Sequence, residues 1–349
     1  MEINLLYPFL ISFTASLLFT PLTIYLAKRL KLIDDPSKRK HPAKIHKKPI
    51  PRAGGLAIFL SITSAALFTL PINNTTVTLL TAGLIVVTVG ILDDKYDISP
   101  YARFASNILA ASIVVINIVR LNFITNPFGG TVVFQDLPIG VFASLAPYVL
   151  AVIWIVWVMN MLNWSKGVDG QMPGIAAISA IIIGIASLRF PILTPDNITT
   201  AQLAFATAGA SFGFLLFNKY PAKIFPGYSS TILGFYIAIL ALSSSAKLAT
   251  ALLVMGVPTV DALITVARRL KAKKSPFWHD KGHLHHLLLD IGIPQQYIAP
   301  IYWFASLLLG VIALTLSSRG KLFAIILVLV VTTGFILTLK HVLKQRNKK

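Results

Sequence analysis

The sequence predicts an all-α integral membrane protein, a polytopic bundle of about eleven transmembrane helices with the N-terminus outside and the C-terminus cytoplasmic. Three observations predict it. Of 349 residues, 56% are hydrophobic and only 12% charged, half the charge of a soluble domain, which is about 25%. Mean hydropathy is +0.77, and apolar stretches of roughly 16 to 22 residues recur, each near the length that crosses a bilayer. Many are apolar all round rather than along one face, which suits lipid better than a water-facing core.

The stretches lie at residues 5–27, 54–70, 77–92, 101–119, 139–159, 174–188, 199–217, 231–242, 248–267, 299–316 and 322–339. The basic residues between them supply the orientation. Residues 28–52 hold ten Lys and Arg, residues 268–281 six and residues 340–349 five. With Lys95, Arg103, Lys166, Lys219 and Lys223, 26 of the 31 basic residues fall on the inner side. The net charge of +19 is therefore first a topology signal, the positive-inside asymmetry, and it does not call for nucleic acid. Anionic lipid or substrate is a secondary partner for the same loops. The first stretch reads as a retained helix, because it opens with Glu2 and no Lys or Arg, unlike a cleaved signal. With no cysteine, disulfides and thiol ligands are excluded. No repeat divides the chain, so one integral domain, residues 1–349, is expected. Its cytoplasmic loops are residues 28–53, 93–100, 160–173, 218–230 and 268–298.

Acidic residues number twelve, and eight of them fall in the inner segments close to helix ends. A transporter would place ionisable groups at mid-membrane; Asp261 is the main residue there. The chemistry is expected at the cytoplasmic membrane surface.

Four polar constellations stand out. Residues 38–55 combine cations, His46 and Arg52 among them, with prolines that keep the loop extended and the pair Gly54-Gly55. This suits a diphosphate, or else a basic loop ending in a helix contact. Asp93-Asp94 at a helix C-terminus repel each other and the helix dipole, so a cation must be near; magnesium with substrate phosphates is one, a solvated terminus the alternative. Asn160 and Asn163, one turn apart, share a face and can donate to phosphate or sugar oxygens, or cap a helix before a glycine turn. His279, Asp280, His283, His285 and His286 suggest a metal site or a phosphate clamp; zinc lacks a cysteine partner and regular spacing.

In order, these pieces resemble the polyprenyl-phosphate N-acetylhexosamine-1-phosphate transferases, glycosyltransferase family 4. The resemblance rests on residues 46–55, Asp93-Asp94 with Arg103, residues 160–170, residues 213–227, Pro258 with Asp261, and residues 280–286. The Pro-Ala-Lys-Ile-Phe run at 221–225 and the His-Leu-His-His form look more like the N-acetylglucosamine-1-phosphate branch. The resemblance implies a multi-pass plasma-membrane enzyme that moves a sugar-1-phosphate from a UDP-sugar to a polyprenyl phosphate, releasing UMP. It implies catalytic roles for Asp93, Asp94, Asp169, His283, His285 and His286. Substrate contacts are implied for His46, Arg52, Gly54, Gly55, Arg103, Asn160, Asn163, Asn218, Lys223 and Asp280. Mg2+ is the implied cofactor, with Asp169 among its ligands. The partners are a UDP-sugar, a polyprenyl phosphate, the lipid bilayer and, as an option, a second copy of the chain.

Two residues depart from the family pattern. Lys166 stands where the first Asp of Asp-Gly-x-Asp-Gly is usual, and Tyr228 stands where a magnesium-ligating Asp is usual. That is a formal swing of three charges, each worth ~3 kcal/mol to a neighbour at ~5 Å and an effective dielectric of ~20 before screening. Three readings stay open: drift, a transferase with altered metal use, and a chain that binds nucleotide sugar or lipid phosphate without turnover, Lys166 standing in for the metal.

Overall fold

The computed structural model describes residues 4–37, 45–46, 48–118, 121, 123–138, 140–190, 192–243, 248–278 and 280–346. Glu2, residues 38–44 and 47 of the 38–55 segment, and His279, all drawn on above, lie outside them. The described chain is helical: α1 (Leu6–Arg29), α2 (Gly54–Thr69), α3 (Asn74–Tyr96), α4 (Pro100–Asn117), α5 (Val141–Trp164), α6 (Gln171–Ser187), α7 (Pro195–Asn218), α8 (Thr231–Ser243), α9 (Leu248–Val254), α10 (Gly256–Lys271), α11 (Leu284–Asp290), α12 (Gln295–Thr315) and α13 (Ser318–Arg346). Two short antiparallel ribbons complete it. β1 (Ile33–Asp34) pairs with β2 (Ile50–Pro51), and β3 (Phe123–Thr125) pairs with β4 (Thr131–Val133).

Each of the eleven apolar stretches becomes helix, but they are not equivalent. Among the described residues six helices (α1, α3, α5, α7, α12 and α13) are long and apolar enough to cross a membrane, and a seventh span results if α9 and α10 count as one. The remaining stretches are shorter or more polar. At 13 residues, α8 rises about 20 Å against about 30 Å of hydrocarbon. It is buried from Thr231 to Leu242, packed among α5, α7, α6 and α3, so its apolarity serves a protein core. The ninth stretch breaks at Met255, where α9 and α10 meet at 82°. By contrast α13 presents Phe323, Leu327, Val330 and Phe335 outward, as a lipid-facing helix should.

Local chemistry sets the ends that matter for the cleft. Asn73 caps α3 by accepting from the Thr76 amide at 3.0 Å. The other end of α3 closes on Asp97 in the left-handed region, which halts the helix directly after Asp93-Asp94. Ser99 caps α4, with Pro100 in its first turn, and this starts a new helix that returns Arg103 to the same place. The bundle is held by small residues: Gly209 and Gly213 of α7 face Ser12 and Ser16 of α1, and a Cβ on Gly209 would sit 2.2 Å from the Phe9 carbonyl oxygen. Ser16 Oγ donates to the Ala210 carbonyl at 3.0 Å. Such close backbone approach is how helices associate where no water drives them together.

Candidate functional site

At one end of the bundle a cleft of about 610 Å³ gathers side chains from all five polar loops. Its floor is the C-terminus of α3. Asp93 and Asp94 are both buried, and each has the cation that such a pair requires. Arg103 Nη1 lies 3.2 Å from Asp93 Oδ2, and Arg52 Nη2 lies 3.2 Å from Asp94 Oδ1. The two carboxylates differ in what remains. Asp94 Oδ1 also accepts the Tyr228 amide at 2.8 Å, and Oδ2 accepts the Ser229 hydroxyl at 3.1 Å. Asp94 is thus spent on holding the 226–230 loop and is not among the residues lining the cleft. Asp93 lines the cleft, and its Oδ1 is buried with no partner.

The glycines at the floor act by close packing. The Gly54 and Gly55 amides donate to the Phe225 and Pro226 carbonyls at 3.2 and 3.0 Å. A Cβ on Gly55 would lie 2.0 Å from the Ser229 carbonyl carbon. These amides are therefore committed to the protein, and neither glycine reaches the cleft. Gly227 combines a positive φ of 70° with contact to Asp94, 2.1 Å from a hypothetical Cβ, so no side chain fits there.

The two departures from the family pattern meet in space. Lys166 Nζ donates to Asn163 Oδ1 at 2.6 Å and to the Gly227 carbonyl at 2.7 Å, and it lies 5.7 Å from the centre of the Tyr228 ring. Arg103 lies 5.0 Å from the same centre. Tyr228 OH accepts from Asn107 Nδ2 at 3.1 Å. Burial lowers the Lys166 ammonium to about 8, against the pull of Asp94. Burial likewise raises the Tyr228 phenol to about 12, so it stays neutral.

Behind this pair the Asn218 side chain ties two loops together. Asn218 Oδ1 accepts the Gly170 amide at 3.0 Å and its Nδ2 donates to the Ile224 carbonyl at 2.8 Å. Asn218 therefore braces two loops and does not line the cleft, nor does the exposed Lys223. No residue of α7 does. The sequence order of the motifs suggests a cleft walled by the third, fifth, seventh and ninth apolar stretches; the lining residues come instead from α3, α4, α5, α10 and α11 with the loops beside them. Asn163 and Asn160 line the cleft, the latter with its Nδ2 back-bonded to Val156 at 2.8 Å. Asp169 Oδ2 accepts the Ala222 amide at 3.0 Å, and burial raises its carboxyl above the ordinary range.

The far wall is histidine-rich. Asp261 Oδ2 lies 2.9 Å from His283 Nδ1, and Asp261 Oδ1 accepts the Leu284 amide at 2.8 Å. His283 and His285 stack with centroids 5.5 Å apart, and His286 lies 4.3 Å beyond. Burial pushes His285 well below the usual imidazole value, and burial with the neighbouring His283 lowers His286 to about 4; both are neutral near pH 7. Asp280 is held at about 2: burial would raise it, but the Gly282 amide, Arg269 and Arg268 outweigh that. Arg269 and Trp164, which sequence reasoning missed, both line the cleft. The spacing Asp261, Thr265, Arg269 could have found the first, since residues four apart share a helix face. His46 lines the opposite rim, its Nε2 3.8 Å from Asp34 Oδ1 and its ring 4.9 Å from that of Phe225.

A divalent ion fits this set poorly. Among the described residues no group of three or more His, Asp or Glu side chains could hold a metal. Asn163 Oδ1 and the Gly227 carbonyl, both hard oxygen donors, are occupied by an ammonium. Asp169 alone persists of the expected ligand carboxylates.

A family model described as glycosyl transferase family 4 matches residues 76–245, a span containing both departures. The chain is similar to a decaprenyl-phosphate N-acetylglucosaminephosphotransferase of Mycobacterium tuberculosis, 31% identical over 330 residues, or 84% of this chain and 77% of the relative. It is similar to a probable undecaprenyl-phosphate N-acetylglucosaminyl 1-phosphate transferase of Bacillus subtilis, 29% identical over 90% of this chain and 86% of the relative. An undecaprenyl-phosphate alpha-N-acetylglucosaminyl 1-phosphate transferase of Yersinia pestis is 28% identical over 89% and 83%.

Proposed function

This chain belongs to glycosyl transferase family 4, and from that premise we propose that it transfers N-acetylglucosamine-1-phosphate from its UDP-sugar to a polyprenyl phosphate at the cytoplasmic membrane face. The observation that carries the reading is the cleft itself. Asp93, Arg103, Asn163, Asp169 and the histidines come from distant parts of the chain and line one cavity at the end of a membrane bundle. The topology is about eleven helical segments across or within the bilayer, with the cleft on the side that holds most of the basic residues.

The acceptor phosphate bonds to the β-phosphorus, the bond from that phosphorus to the bridging oxygen breaks, and UMP leaves with the electron pair. Asp93 Oδ1, unpartnered at the floor, positions the acceptor phosphate and takes its proton. Arg103, 3.2 Å from Oδ2, keeps that carboxylate oriented. Lys166, Arg269 and the neutral His285 and His286 supply donors to phosphate and sugar oxygens. The family is compatible with a divalent ion; the donor set described above supplies no site for one, and no step here depends on it.

A second reading is favoured by the Lys166–Tyr228 pair: a chain that binds nucleotide sugar without turning it over. Purified protein in detergent, given radiolabelled UDP-N-acetylglucosamine and undecaprenyl phosphate, separates the two. Lipid-linked label that disappears in Asp93→Asn supports transfer. Nucleotide-sugar binding without lipid product makes the chain a binder.

A further inference from the structure

We propose that the Lys166 ammonium, seated against Tyr228, takes the place of the divalent ion, so that this chain binds the diphosphate of its nucleotide sugar without a metal. This rests on the reading of the cleft as a nucleotide-sugar site.

The two departures form one device. Lys166 bonds the Gly227 carbonyl at 2.7 Å and stands over the Tyr228 ring, 5.7 Å from its centre, so the residues at the two expected carboxylate positions are neighbours in space. Restoring Asp at position 228 alone would set a carboxylate beside the ammonium that holds the Gly227 carbonyl.

The oxygens are spent as well. An ammonium has three N–H donors; two are used on Asn163 Oδ1 and the Gly227 carbonyl, and Lys166 lines the cleft, leaving one for a ligand. Those same oxygens cannot also coordinate a hard cation, which needs them with its own geometry. The Tyr228 hydroxyl is tied back by Asn107, so the ring presents its face to Lys166 and Arg103, the arrangement that holds cations.

Charge completes the case. Asp93 is matched by Arg103, Asp94 by Arg52, and Asp280 by Arg268 and Arg269, while Asp169 spends Oδ2 on the Ala222 amide. Lys166 is bonded to neutral oxygens. A further dication beside it meets repulsion, whereas a diphosphate meets a held cation that needs no recruitment. During transfer, the charge that develops on UMP as the bridging bond breaks falls towards the same ammonium.

The test uses the full chain in detergent. Mn2+ is titrated into the protein without nucleotide, following the paramagnetic resonance of the free ion. UDP-N-acetylglucosamine is then titrated calorimetrically in EDTA and in Mg2+. The proposal expects no Mn2+ uptake and nucleotide-sugar affinities within about threefold of each other. It expects Lys166→Asp with Tyr228→Asp to take up Mn2+, and to bind UDP-N-acetylglucosamine at least about tenfold better with Mg2+. Stoichiometric Mn2+ uptake by the unmodified chain, or binding that vanishes in EDTA, overturns the substitution of lysine for metal and leaves the nucleotide-sugar reading standing. Absence of UDP-N-acetylglucosamine binding in both buffers overturns that reading, and the proposal with it. Because the unmodified protein decides both, misfolding of the double variant leaves the test intact.

Discussion

The two sides of the cleft solve the same problem in opposite ways. On the floor, carboxylates and guanidinium groups are paired one to one, Asp93 with Arg103 and Asp94 with Arg52. At the rim, a cation is held by an amide oxygen, a backbone carbonyl and an aromatic face. Burying a charge costs several kcal/mol unless partners replace water, and both sides meet that cost. Only the Lys166 side does so with neutral oxygens in direct contact and its carboxylates, Asp94 and Asp93, at longer range. The floor is electrostatically closed, apart from Asp93 Oδ1, while the Lys166 side offers a held cation to an anion.

The largest expected effect comes from the one open group on the floor. Asp93→Asn should lower lipid-product formation by about 10²–10⁴-fold, the range for losing a proton acceptor, with UDP-N-acetylglucosamine affinity little changed. Equal losses of rate and affinity would break the contrast between floor and rim. Lys166→Met at the rim should do the converse, weakening nucleotide-sugar binding by about 10- to 100-fold, as expected for one charge-assisted hydrogen bond; calorimetry reads it directly. An unchanged affinity would remove the rim from the binding site.

A smaller effect concerns how the two sides are held together. Gly55→Ala drives a Cβ into Ser229, and overpacking of this kind costs about 1–3 kcal/mol, so a lowered melting temperature is expected with product formation reduced as the Tyr228 loop shifts. The smallest is a pH effect. Lys166 titrates near 8, and only its protonated form attracts a diphosphate. Affinity should therefore be full below about 8, be down by about a few-fold half a unit above it, and continue towards the Lys166→Met value at higher pH. The charged groups around it are Asp94, Asp93, Arg52 and Arg103, and Lys166→Arg should flatten the profile.

Much of this molecule was legible in its sequence, and the illegible parts have physical reasons. All eleven apolar stretches are helices, because sustained apolarity at helical length has few other outcomes in lipid. Whether a helix meets lipid or protein is decided by neighbours, so the burial of α8 could not be read from its residues. The break at Met255 had a local signal in Gly256 and Pro258, both weak helix formers, placed where a long helix would need strong ones. The need for cations beside Asp93-Asp94 followed from electrostatics and is met by Arg52 and Arg103. The commitment of the Gly54 and Gly55 amides to Phe225 and Pro226 was hidden, since an extended loop shows donors and not their partners. The contact between Lys166 and Tyr228 was hidden for the same reason, and it turns two separate anomalies into one substitution.

The measurement that tests the account most directly is transfer of radiolabelled N-acetylglucosamine-1-phosphate to undecaprenyl phosphate by the unmodified protein, in EDTA and in Mg2+. A transferase in which Lys166 replaces the metal forms lipid product at similar rates in both. Product that appears only with magnesium would contradict it, and would place a metal site where the described residues show an ammonium.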